Sequence, residues 1–131
     1  MNWLLFVICF QPFLLCVASG QDSSRDCRDR YKREVQAQPG GSLPHFELGV
    51  CLARAKDRVG AVNQFREALN GDLQPSWIIV WSHVNLGKIF DATGQRERAL
   101  NEYRLAVMTG DNTRGALDEA RLYTEKPYRD K

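Results

Sequence analysis

Two segments of this chain repeat one pattern of residue types in the same order and at the same distances. Each segment begins with a Leu-Gly pair, Leu48-Gly49 in the first and Leu86-Gly87 in the second, 38 residues later. A large apolar residue, an alanine, an aromatic residue and a second alanine follow in each: Leu52, Ala61, Phe65 and Ala68, then Phe90, Ala99, Tyr103 and Ala106. Self-similarity at such a period predicts stacked repeats, none of which buries its apolar face alone.

The residue types within each repeat indicate two helices that pack closely. A glycine on the first helix marks a place where a side chain would hold the second helix away, and Ala61 or Ala99 is the small residue expected to face it. Phe65 or Tyr103 comes four residues after that alanine and therefore lies on the same helix face, one turn on. The aromatic ring is expected to fill the wider gap there.

These residues resemble the motif of the tetratricopeptide-repeat (TPR) family, which has Leu-Gly, an aromatic residue, Ala-x3-aromatic and a late Pro. Residues 92–100 (ATGQRERAL) are very like the family's turn between helices, where Gly94 is expected to adopt a left-handed backbone. The segment VWSHVNLG is similar to part of short exported bacterial TPR proteins, and the likeness covers most of residues 42–128. The resemblance implies an all-α fold, a short superhelix of antiparallel helix pairs.

The resemblance also divides the chain. It implies a TPR domain over residues 21–131, made of a half repeat (23–39), repeat 1 (42–75), repeat 2 (76–111) and a C-terminal capping helix (112–126). Tyr31 and Pro39 match the half repeat's aromatic and late-Pro positions. Repeat 2 begins four residues later than the usual TPR period would place it. This extra length predicts a longer first helix, with Ser76 as its cap. Asn112 or Thr113 is expected to cap the last helix.

The first twenty residues differ from the rest because they contain no charged side chain. An apolar stretch ending in Ala18-Ser19-Gly20 predicts a signal peptide cleaved before Gln21. An uncleaved membrane anchor and a buried first helix are the alternatives. We therefore expect a periplasmic or secreted protein, or one anchored in the membrane and facing outside the cytoplasm.

Two cysteines, Cys27 and Cys51, follow that segment. An even pair in an oxidising compartment predicts a disulfide, and two buried free thiols are the alternative. A zinc site needs about four ligands close together, and the chain has only these two cysteines and distant histidines to offer. We expect no metal and no cofactor.

The resemblance implies that the chain binds partners with the concave face of its first helices. The residues expected to be exposed there are Phe46, Val50, Ala53 and Arg54 in repeat 1, and Trp81, Val84, Asn85, Lys88 and Asp91 in repeat 2. For Phe46 and Trp81, packing between helices is the alternative. Such a face suits an extended peptide, which predicts a non-catalytic protein- or peptide-binding scaffold.

Other function classes find less support in the sequence. The net charge is +2 with cations and anions interspersed, which does not favour nucleic-acid binding. His45 and His83 occupy equivalent repeat positions and are predicted to pack between helices, and no nucleophile-base arrangement or phosphate-binding loop indicates an enzyme. A capture site for a chaperone C-terminus is not expected, since Phe46 and Val50 stand where Lys and Asn would be needed. The main rival is a self-assembling structural subunit that associates through Trp77, Ile78 and Trp81 or through an open end.

Overall fold

A computed structural model describes residues 21–131, and the regular structure in this part of the chain is entirely helical. The helices are α1 (Gln21–Ala37), α2 (Ser42–Arg54), α3 (Arg58–Asn70), α4 (Trp77–Ala92), α5 (Arg96–Met108) and α6 (Ala116–Glu125), with a short 3₁₀ turn at Thr113–Gly115 before α6. The expected all-α class is confirmed for these residues. The predicted signal peptide or anchor, residues 1–20, lies outside the described part.

Each helix packs on the next one along the chain, and alternate helices also meet. The most extensive contacts join α2 to α3 and α4 to α5, which are the two helix pairs expected from the repeat. α1 packs on α2, α3 on α4, and α5 on α6. α4 contacts both α2 and α6, so these three helices share one side of the molecule.

The core consists of the residues that define the repeat. Ala61, Phe65 and Ala68 are fully buried, and so are their equivalents Ala99, Tyr103 and Ala106. Leu48, Leu52, Leu86 and Phe90 are at most 6% exposed. Removing a large apolar side chain from water contributes roughly 1.5–3 kcal/mol, so these positions supply much of the stability of each helix pair.

The two helices of each pair approach most closely at the repeat glycines. A Cβ on Gly49 would lie 2.9 Å from Cε1 of Phe65, and one on Gly87 would overlap the ring of Tyr103. The atoms nearest each glycine are therefore those of the aromatic ring, while the facing of Ala61 or Ala99 toward the glycine stays a prediction.

The helix ends agree with part of the sequence interpretation. Gly94 has φ +74°, which confirms its left-handed turn. The Asn112 side chain accepts a hydrogen bond from Leu117 N at 2.9 Å, but the residue at the cap position of α6 is Gly115, which makes no side-chain cap bond. α4 is longer than α2, with 16 residues against 13. Ser76 makes no side-chain cap bond, contrary to expectation, because its own backbone is already helical (φ −55°, ψ −30°).

A disulfide between Cys27 and Cys51 joins α1 to α2. Their Cα atoms lie 6.2 Å apart, within the usual range for a disulfide. The predicted pairing is confirmed, and the alternative of two free thiols is set aside. Within residues 21–131, no helix combines the length and apolar character needed to cross a membrane.

Candidate functional site

A cleft of about 380 Å³ opens on the side of the molecule that α2 and α4 share. Val50, Ala53 and Arg54 on α2 and Asn85 and Lys88 on α4 line it, so the structure brings together five of the nine residues expected on the concave face. The remaining wall comes from Lys56, Arg58, Ile89, Ala92, Tyr128 and Asp130.

Two of the predicted aromatic anchors serve packing instead. Phe46 is only 7% exposed, and its ring contacts Phe65 (centroids 5.6 Å apart) and the edge of Trp77 (5.3 Å). Trp81 is half-buried, and its Nε1 donates to the carbonyl of Thr113 at 3.1 Å. The alternative of helix packing is therefore correct for Phe46, and its assignment to an exposed surface was wrong.

Val84 and Asp91 were also expected on the exposed face, and neither is available there. Val84 is fully buried in the core. The Asp91 side chain is 1% exposed, and its carboxylate accepts hydrogen bonds from within the chain. Arg96 Nη1 donates to both of its oxygens, at 3.1 and 3.0 Å, and Tyr103 OH donates to Oδ2 at 3.0 Å. Burial of the Tyr103 ring, reinforced by this bond to Asp91, raises the pKa of the phenol.

Asp91 and Arg96 together bind the main chain of the segment that follows. Arg96 donates to the carbonyls of Tyr123 at 2.8 Å and Thr124 at 2.7 Å, which are among the unpaired carbonyls at the end of α6. Asp91 Oδ2 then accepts the backbone N–H of Tyr128 at 2.8 Å. These contacts are to main-chain atoms, so by themselves they select no residue type.

The segment after α6, residues 126–131, runs along the cleft and adds side-chain contacts. The Tyr128 ring meets that of Tyr123 edge-on, with centroids 5.3 Å apart, and Lys88 Nζ lies 4.9 Å from the Tyr128 ring centre. Asp130 pairs with Arg58 at 2.7 Å and with Lys56 at 3.3 Å. The Arg58 guanidinium, aided by Tyr128 OH and Lys56, lowers the pKa of the Asp130 carboxyl.

Cations dominate the charge of the cleft. Arg54, Lys56, Arg58 and Lys88 line it, and the only carboxylate of the described residues in its wall is Asp130. Lys88 is additionally paired with Glu119 of α6 at 2.7 Å. Arg54 is exposed, and no ion pair is formed by it within residues 21–131.

The two histidines lie outside the cleft and occupy equivalent places. His45 Nδ1 bonds to Gln64 at 2.8 Å, and His83 Nδ1 bonds to Glu102 at 2.7 Å, in each case 19 residues further along, on the second helix of the pair. Both histidines therefore link the helices of their own repeat, as predicted. No group of three or more His, Cys, Asp or Glu side chains within the described range could hold a metal ion together.

Sequence reasoning missed six residues of the cleft wall, including the charged and aromatic side chains of Lys56, Arg58, Tyr128 and Asp130. The first two stand at the turn between α2 and α3, outside the helix face on which the resemblance concentrates. The other two follow Pro127, which indicates where α6 ends and gives no sign of the later path of the chain. The chain matches no protein-family model, and no curated protein matches it.

Proposed function

We propose that this chain is a non-catalytic TPR scaffold that binds a protein or peptide in the cleft between α2 and α4. The observation that carries the proposal is the exposed, basic cleft on one side of stacked helix pairs, with Val50, Arg54, Asn85 and Lys88 in its wall. The matching burial of both repeats supports a TPR superhelix. Apolar surface beside convergent polar groups is typical of peptide-binding grooves.

The proposal includes action outside the cytoplasm. The disulfide between Cys27 and Cys51 supports an oxidising compartment, and the uncharged segment before Gln21 supports export. Mass spectrometry of the protein recovered from medium or periplasm should give a chain that begins at Gln21. Recovery only from the cytoplasm, with free thiols, would contradict export.

Site-specific photo-crosslinking tests the binding role. A photoreactive residue at Arg54 or Asn85, within the cleft, should capture the same partner protein from the native envelope or medium. The same residue at Glu67, which is exposed on α3 away from the cleft, is the control. Equal capture of that partner from all three positions, or capture from Glu67 alone, would place the binding surface elsewhere.

One observation favours a structural, self-assembling subunit as a second candidate. Met108 at the end of α5 is 79% exposed, beside a shallow depression lined by Val107 and Thr124. Ile78, by contrast, is fully buried and cannot contribute to such an interface. If this surface joins copies, light scattering should show an oligomer that Met108→Glu dissociates. A monomer at micromolar concentration rejects this candidate.

A further inference from the structure

Residues 126–131 already make the contacts that an extended peptide would make in this cleft. The backbone N–H of Tyr128 donates to the buried Asp91 carboxylate at 2.8 Å, a contact that requires no particular side chain. Tyr128 and Asp130, two residues apart, both line the cleft, whereas Arg129 between them does not. This alternation is typical of an extended chain, in which every second side chain faces the binding surface.

Each of the two inward side chains meets complementary chemistry. The Tyr128 ring lies under the Lys88 ammonium and against Tyr123, where cation–π attraction and aromatic packing favour any aromatic residue. The Asp130 carboxylate lies between Arg58 and Lys56. The arrangement selects an aromatic residue followed two positions later by an acidic one.

The segment nevertheless leaves part of the cleft unused. About 380 Å³ remains open beside Tyr128 and Asp130, and exposed Arg54 borders that space. A further carboxylate there would meet a cation that the segment does not pair.

The segment's own charges also limit how well it fits. Lys126, Arg129 and Lys131 carry the same sign as the cations of the cleft. Like charges repel, so we expect an acidic peptide of the same shape to be attracted to the cleft more strongly than this segment is.

We infer that the cleft binds an extended acidic peptide with an aromatic-x-acidic core, and that residues 126–131 occupy its place until such a peptide displaces them. This inference rests on the proposed function and names the ligand class for the same cleft. The segment acts as a tethered competitor, which lowers the apparent affinity for the free peptide until its own contacts are removed.

Fluorescence anisotropy with a labelled hexapeptide, Glu-Pro-Tyr-Glu-Asp-Glu, tests the inference. This probe keeps the tyrosine and aspartate of the segment and replaces its three cations by glutamate. A chain carrying Tyr128→Ala and Asp130→Asn should bind the probe at least about tenfold more tightly than the unaltered chain, since a tethered competitor has an effective concentration in the millimolar range. Circular dichroism verifies that the variant remains helical.

We call the chain with Tyr128→Ala and Asp130→Asn the released chain. Two further pairs of substitutions, each made in the released chain, locate the bound probe. Lys56→Gln with Arg58→Gln should weaken binding about tenfold or more, because the aspartate of the probe loses both partners. Arg66→Gln with Arg104→Gln changes the net charge equally on exposed positions outside the cleft, and should alter binding less than about twofold. A probe with Ala in place of Tyr should bind several-fold more weakly.

Equal affinity of the released and unaltered chains would overturn the competitor role of residues 126–131. Equal losses from the two pairs of cation substitutions would mean that the probe binds by net charge alone. If the released chain does not bind the probe, the ligand class is wrong. Partner crosslinking at Arg54 and Asn85 would still stand in that case, so the two proposals fail separately.

Discussion

At the scale of single residues, Gly49 and Gly87 set how closely each helix pair can pack. Each lies against an aromatic ring of the partner helix, Phe65 or Tyr103, and neither place has room for a side chain. The sequence predicted that the glycines, the alanines and the rings lie where the two helices of a repeat pack, because their spacing repeats. It did not predict that the ring atoms lie nearest to the glycine, because a ring's direction depends on the rotamer and not on spacing alone.

Gly87→Ala should lower the free energy of unfolding by roughly 1–3 kcal/mol, since the new methyl group overlaps Tyr103 and forces the pair apart. Gly40→Ala is the matched control, because nothing lies within 4 Å of a Cβ there, and a change under about 0.5 kcal/mol is expected. Urea denaturation followed by circular dichroism measures both. Equal effects would contradict the close packing at Gly87.

Asp91 shows what local pattern cannot reveal. Its position on the helix face predicts exposure, yet its partners Tyr103 and Tyr128 come from 12 and 37 residues away along the chain. Only the tertiary structure turns this carboxylate into a buried acceptor. Asp91→Ala should cost roughly 1–3 kcal/mol, since it leaves the buried Tyr103 hydroxyl without its acceptor, whereas Glu97→Ala on the exposed side of α5 should cost little. Thermal unfolding compares the two, and similar midpoints would contradict the buried role.

At the scale of elements, α1 differs from the other helices because little of it enters the core. None of its residues 23–37 is fully buried, and of these Tyr31 and Val35 pack against the core from partly exposed positions. The disulfide from Cys27 to Cys51 therefore supplies much of what holds α1 on α2. The sequence predicted this helix from the match of Tyr31 and Pro39 to the half repeat.

Replacing both cysteines by alanine should lower the free energy of unfolding by about 3 kcal/mol, the chain-entropy value for a loop of this length. Amide hydrogen exchange should then become fastest in α1, while the amides of α4 and α5 keep their order of protection. Uniform acceleration in all helices would show that α1 is not held separately.

The apolar residues at the start of α4 pack inside the molecule. Ile78 and Val80 are fully buried, and Trp77 packs on Phe46. Its composition correctly indicated that it is not fully exposed. Composition could not distinguish a partner surface from a contact with α2, because both require the same apolar residues.

At the scale of the whole molecule, the path of residues 126–131 connects the end of the chain's last helix to its first repeat. Asp130 pairs with Arg58, 72 residues earlier. No repeat signal covers this segment, so its place could not be predicted from the sequence. The described cleft is therefore a property of the folded chain, although Val50, Arg54, Asn85 and Lys88 were predicted for its wall.

Acid should release this segment. The folded state lowers the pKa of Asp130, so the pairing contributes fully above the ordinary carboxyl pKa of about 4 and is lost as the pH falls through the lower folded value. The amide NMR signal of Tyr128 should shift over that range. In an Asp130→Asn chain the same signal should lack this component. An unchanged titration in that variant would contradict the assignment to Asp130.

Paramagnetic NMR on the released chain, Tyr128→Ala with Asp130→Asn, tests the central claim that the face between α2 and α4 is the binding surface. The acidic hexapeptide carries a spin label, which broadens amide signals close to it. We expect the signals of Arg54 and Asn85 to broaden on addition of the peptide. The signal of Glu67, which lies on α3 outside the cleft, should stay sharp. Broadening centred on Glu67, or spread evenly over the chain, would contradict the claim.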